Sequence, residues 1–279
     1  MKLMFGDAIG SAIDSIRGMR WTEYMPFFLI LALEGAFLLV STQLQSAWAM
    51  SLVAPLAGML KGEDNLHYPA FFGYLPVLLS AIEGFSYAVL GAVLIPMSIL
   101  RLYARTDRAL SLGAGAASRL AGAFIPTLLA GLAWIGAGLG WQRFAAPVTR
   151  AIRTTLPQPA GNLLGWLVVT LGVYAILALL LYVPVAAVQA RSNPFRAIGY
   201  GIRFGLRSWP MTMVYVVLFG IPAIVVQFVI EKQGAFLALR LRPEIIALLL
   251  TVYVVVTSVG TYLTYVTAAR LYKLARGEE

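Results

Sequence analysis

The sequence predicts an all-α, polytopic membrane protein with six transmembrane helices, and three observations predict it. The 279 residues are 60% hydrophobic and 12% charged, with a mean hydropathy of +0.83, whereas soluble domains carry roughly 25% charged residues. Six stretches without Lys or Arg are each long enough to cross roughly 30 Å of hydrocarbon at 1.5 Å per residue. The 21 basic residues gather at the ends of those stretches.

Taken in order, residues 3–17 place Phe5, Ala8, Ile9, Ala12, Ile13 and Ile16 on one helical face and Asp7, Ser11, Asp14 and Ser15 on the other. That pattern predicts a helix lying in the membrane interface, not a cleavable signal, which would need a continuous apolar core. Arg17, Arg20 and Trp21 mark the boundary, and span one runs from about Tyr24 to Leu44. Residues 46–73 read as an outer loop. Its apolar part, AWAMSLVAPLAGML, fits a half-buried outer helix or a re-entrant piece, and KGEDNLHYP fits a solvated turn.

Span two covers about Leu75 to Leu100 and ends in LRLYAR. A second interfacial segment, Asp107–Arg119, follows; it is weakly amphipathic and also fits a loop. Span three, about Leu120 to Leu139, is rich in Gly and Ala, which lets helix backbones approach closely in a membrane. Residues 141–161 read as the second outer loop, or as an outer-surface helix carrying Arg143, Arg150 and Arg153 beside Trp141 and Phe144. Span four lies within Leu163–Ala190, with a bend expected near Pro184.

The third interfacial stretch is Arg191–Ser208. Phe195, Ile198, Ile202 and Leu206 are expected on its lipid face, with Arg196, Tyr200, Arg203 and Arg207 opposite. Span five, about Trp209 to Ile230, a short outer turn and span six, about Ile245 to Ala268, complete the chain. Fourteen Lys and Arg fall on the side of the termini and seven on the other, so both termini are expected in the cytoplasm of a bacterial inner membrane. The whole reads as one membrane domain, 1–279, built from three interfacial-helix-plus-hairpin repeats at 1–105, 106–191 and 192–279. Chance similarity among apolar segments is the competing explanation.

Composition removes several function classes. The formal charge of +9 lies at span ends, which favours anionic lipid over nucleic acid. With no Cys and the single His67, neither thiolate nor multi-histidine metal chemistry is available. No serine has a matching His and Asp set, and GYGIRFG follows no strand and departs from both nucleotide-loop spacings. No cofactor and no metal are expected.

Two carboxylates, Glu34 and Glu83, fall inside spans, each roughly 14–15 Å deep and without a cation at matching depth. They read either as a pair sharing a proton or binding a cation, or as neutral groups hydrogen-bonded across helices. Tyr253, Thr257, Thr261 and Thr264 form a polar line on span six, and Gln227 lies in span five. Such groups line a cavity or bond back to helix carbonyls. Arg196, Arg203, Arg207, Arg143, Arg150 and Arg153 are candidates for contacts with anionic lipid or a partner, or for plain interfacial anchoring.

The stretch LYVPVAAVQARSNPFRAIGYGIRFGLRSWPMTMVYVVLFGIPAIVVQFVI resembles bacterial six-span proteins related to the glycerophosphoryl diester phosphodiesterase membrane domain. The matching positions are Asn193-Pro194, Arg196, Arg203 and Trp209, and the resemblance covers about one fifth of the chain. With no hydrolase domain expected after span six, it implies architecture and no phosphodiesterase activity. Three functions compete. The first is a non-enzymatic inner-membrane module acting through lipids, a protein partner or a second copy, such as an envelope or secretion-complex subunit. The second is a transporter or permease subunit using Glu34 and Glu83. The third, a membrane-embedded enzyme, is disfavoured by the missing His, Cys and polar clusters.

Overall fold

The computed structural model describes residues 6–7, 9–10, 13–14, 21–43, 47–60, 64, 66, 70–106, 115–189, 194–240 and 244–276. Most of the first interfacial stretch, His67, Asp107–114 of the second, and Arg191 to Asn193 lie outside them. The elements are α1 (Trp21–Thr42), α2 (Ala47–Met59), α3 (Ala70–Phe85), a π turn (Ser86–Leu90), α4 (Gly91–Thr106), α5 (Gly115–Thr155), α6 (Gln158–Leu180), α7 (Tyr182–Gln189), α8 (Pro194–Arg240) and α9 (Ile245–Arg276). Six helical stretches are long and apolar enough to cross a membrane, beginning at Tyr24, Ala70, Gly115, Gln158, Phe195 and Ile245. The protein is an all-α polytopic membrane protein.

Two sequence expectations change. Residues 141–155 are not a loop: α5 runs unbroken for 41 residues, roughly 60 Å, through Arg143, Arg150 and Arg153. Pro126 and Pro147 do not end it. The connection to α6 is only Leu156 and Pro157, with the Leu156 N–H donating to the Ile152 carbonyl. Likewise, no break separates the third interfacial stretch from span five. Pro194 begins α8, where its missing N–H costs nothing, and the helix continues for 47 residues, roughly 70 Å. Near the bend expected in span four, α6 and α7 are separated by Leu181 alone, whose backbone keeps right-handed helical angles (φ −55°, ψ −33°). Pro184 offers no N–H to the preceding turn and crowds its carbonyl.

The chain forms two compact units whose boundaries fall inside helices. One comprises Met1–Pro26, Ala88–Phe219 and Tyr262–Glu279; the other comprises Phe27–Tyr87 and Gly220–Thr261. Within the second, Leu75, Leu78, Leu79, Val53, Leu250 and Val254 head a buried apolar core. The apolar loop segment is a half-buried helix there: Ala49, Val53 and Ala57, four apart, are buried, while Leu52 and Met59 are exposed.

Within the first unit, small residues set how close the helices come. A Cβ on Gly131 of α5 would lie 2.9 Å from the Ala88 Cα in the π turn. On α8, a Cβ on Gly201 would lie 2.6 Å from the Val183 Cα, and one on Gly205 would collide with the Leu179 carbonyl oxygen. Backbone contact of this kind holds helices together by dispersion where water gives no hydrophobic drive. The α5–α6 hairpin is pinned by Trp141, whose indole N–H donates to the Val169 carbonyl at 3.1 Å. Tyr103 donates to the Ala269 carbonyl at 2.8 Å and fixes α4 to α9.

Candidate functional site

The face of α1 that turns inward in the second unit carries Phe27, Ile30, Glu34, Leu38 and Ser41, at steps of three and four, all buried. Glu34 therefore enters the interior because it occupies a position in an otherwise apolar stripe. It is 1% exposed, and its Oε1 has no hydrogen-bond partner among the described residues. Glu83, half-buried near the end of α3, lies in the same unit. Tyr253 of α9 donates its phenol to Glu83, at 3.2 Å to Oε2 and 3.4 Å to Oε1. The structure thus joins Glu83 to Tyr253, with Glu34 buried in the same unit.

Two further hydroxyls lie nearby in sequence. Ser86 follows Glu83 by three residues and opens the π turn; Thr257 follows Tyr253 by four. Each sits about one helical turn beyond the carboxyl–phenol contact. Ser86 Oγ and Thr257 Oγ1 are both buried without a partner among the described residues. Sequence reading singled out Thr257 but missed Ser86. A serine three residues after an intramembrane acid is visible in the sequence; the π turn that holds it is not.

The other sequence candidates separate. Thr261 stays with the second unit, whereas Thr264 belongs to the first, where it is buried. Gln227 donates its amide to Glu231 at 2.9 Å on its own helix. Arg143, Arg150 and Arg153 are exposed on α5, and Arg196, Arg203 and Arg207 are exposed on α8.

A second polar cluster, which the sequence reading did not pick out, is buried in the first unit. Tyr182 shares hydrogen bonds with Tyr215 at 3.0 Å and Thr212 at 3.1 Å. Thr212 meets Ser208 at 3.3 Å and donates to its carbonyl at 3.0 Å, and Ser208 donates to the Phe204 carbonyl at 2.8 Å. Phe204 and Tyr272 pack on the Tyr182 ring with centroids 4.7 and 6.3 Å away. The 208, 212, 215 spacing on one helix face was the available signal. The cluster satisfies itself, so it reads as a structural clasp.

Glu34, Glu83 and Tyr253 offer only oxygen donors: two carboxyls and a phenol. Among the described residues no three His, Cys, Asp or Glu come together. Oxygen-only donors suit a proton or a hard cation, not a transition metal. No family model matches the chain, and no curated protein or solved structure matches it either.

Proposed function

We propose that the protein is an ion-coupled membrane transporter or permease subunit in which Glu34 and Glu83 take up and release a proton or a hard monovalent cation. The observation that supports this most is the Glu34 carboxyl, buried with no partner for Oε1 among the described residues. A carboxyl serving only as packing glue is expected to spend its oxygens on cross-helix hydrogen bonds, because an unmet buried acceptor costs about 1–3 kcal/mol. A free acceptor in the same unit as a second carboxyl is the arrangement expected of a loading site, and intramembrane acids are commonly functional. Tyr253 holds Glu83 in place, leaving Glu34 as the group that is loaded.

The test is reconstitution into liposomes carrying an internal pH dye, with sodium and potassium gradients imposed in turn. Wild-type protein should dissipate a proton or cation gradient, and Glu34→Gln and Glu83→Gln should each abolish this. Equal flux in wild type and both variants removes the carboxylate mechanism.

A non-enzymatic role through lipids, a partner or a second copy is the second reading, favoured by the exposed arginines of α8. The inner-membrane location with cytoplasmic termini, the three-repeat organisation and kinship with the phosphodiesterase membrane-domain proteins belong to the same proposal. They are supported by the charge bias and by the residues around Asn193-Pro194.

A further inference from the structure

The first third of α8 has three faces, and among the described residues one of them is buried. Ala197, Gly201, Gly205 and Ser208 are buried, with the two glycines against the backbone of residues 179–183. Arg196, Arg203 and Arg207, spaced seven and four residues apart, fall within about 40° of one another at 100° per residue. All three are exposed, and Tyr200, 60% exposed, sits among them. Beside this basic stripe, Phe195 is 67% and Leu206 60% exposed. In sequence, no Asp or Glu occurs between Asp107 and Glu231, and every cation in that interval is Arg.

The same helix continues into an uncharged run, Ser208–Ile230, which covers roughly 34 Å and fills the hydrocarbon. Arg207 therefore stands at the membrane boundary, with Arg203 about 6 Å and Arg196 about 16 Å farther along the axis. A water-facing helix gains nothing by exposing Phe195 and Leu206, and an acyl-facing one gains nothing from three arginines. A ligand that offers phosphate and hydrocarbon side by side satisfies both faces. Guanidinium groups bind phosphate through paired, planar hydrogen bonds that lysine cannot make.

We propose that this face of α8 is a binding site for anionic phospholipid, with Arg203 and Arg207, one turn apart, gripping phosphate and the exposed Leu206, at the membrane boundary, lying against the start of the acyl chains. The tight seating of Gly201 and Gly205 makes the site a rigid edge of the fold, so it is preformed. This inference is independent of the carboxylate reading.

The experiment measures lipid retention on detergent-solubilised, full-length protein by native mass spectrometry, titrating phosphatidylglycerol and, separately, phosphatidylcholine. Wild type should retain phosphatidylglycerol at least tenfold more tightly than phosphatidylcholine, and this preference should weaken with salt. The triple variant Arg196→Gln, Arg203→Gln, Arg207→Gln should lose it. The triple variant Arg143→Gln, Arg150→Gln, Arg153→Gln, which removes the same charge from α5, should keep it within about twofold. Should the α8 triple variant misfold, the pair Arg203→Lys and Arg207→Lys keeps the charge and should still weaken binding several-fold.

Equal loss in both triple variants reduces the effect to net charge and overturns the proposal. So does undiminished binding in the lysine pair, an equal hold on phosphatidylcholine, or displacement by millimolar inorganic phosphate alone. Release of an acidic protein by the α8 variant with phosphatidylglycerol retained would assign the face to a protein partner instead.

Discussion

The two buried polar clusters answer opposite requirements. In the first unit, Tyr182, Tyr215, Thr212 and Ser208 close their hydrogen bonds on one another and on backbone carbonyls. In the second, Glu34 Oε1, Ser86 Oγ and Thr257 Oγ1 are buried with no partner among the described residues, and only Glu83 is held, by Tyr253. Both sit on membrane-spanning helices and use similar side chains, so burial and composition do not separate them. Saturation does. A closed network adds stability and has no capacity left, whereas an open one costs stability and can accept a ligand.

The strongest way to break this contrast is Tyr182→Phe. It strips two hydrogen bonds at once and should destabilise the protein by about 2–3 kcal/mol, read as a lower melting temperature in detergent. A shift indistinguishable from zero would show that the clasp is not holding α7 to α8. Thr212→Val, nearly the same in volume, should cost about 1–2 kcal/mol in that assay.

On the other side, removing an unmet group should reverse the sign. Glu34→Leu removes a buried, unmet acceptor and should raise stability by about 1 kcal/mol while abolishing ion flux. A large loss of stability would mean that the carboxyl is already satisfied and would sink the loading-site reading. Tyr253→Phe should cost about 1 kcal/mol and weaken flux without abolishing it, because it frees Glu83 and leaves both carboxyls in place. The smallest effect is expected for Thr257→Val, within about 0.5 kcal/mol of wild type or slightly stabilising. Set against Thr212→Val, it makes the same chemical change in the two environments and sharpens the comparison to a single methyl-for-hydroxyl exchange.

What the sequence made legible follows from physics that is one-dimensional. Hydrocarbon excludes charge over a fixed thickness, so runs without Lys or Arg mark six spans, and Glu34 and Glu83 stand out within them. Helix length beyond the membrane is not set by that rule, which is why 141–155 read as a loop although α5 continues to Thr155. The packed face of α8 escapes the sequence for a different reason. Amphipathic reasoning weighs large apolar and charged residues, and so it missed the line of Ala197, Gly201 and Gly205, whose lack of bulk allows the packing on residues 179–183. The hydroxyl clasp depends on Tyr182 meeting a helix that begins twelve residues later, a pairing no local pattern encodes.

The π turn at Ser86–Leu90 carries a consequence for how this span tolerates length change. Such a turn absorbs one residue more than an α turn, so the helical phase before it is offset from the phase after it by about 100°. Deleting any single residue there would let the helix relax to regular winding. The same deletion would turn every residue that follows it by about 100° around the helix relative to Glu83. Elsewhere in the span, an insertion or deletion has no such slack to draw on, so the surplus residue works as a register key for the helix.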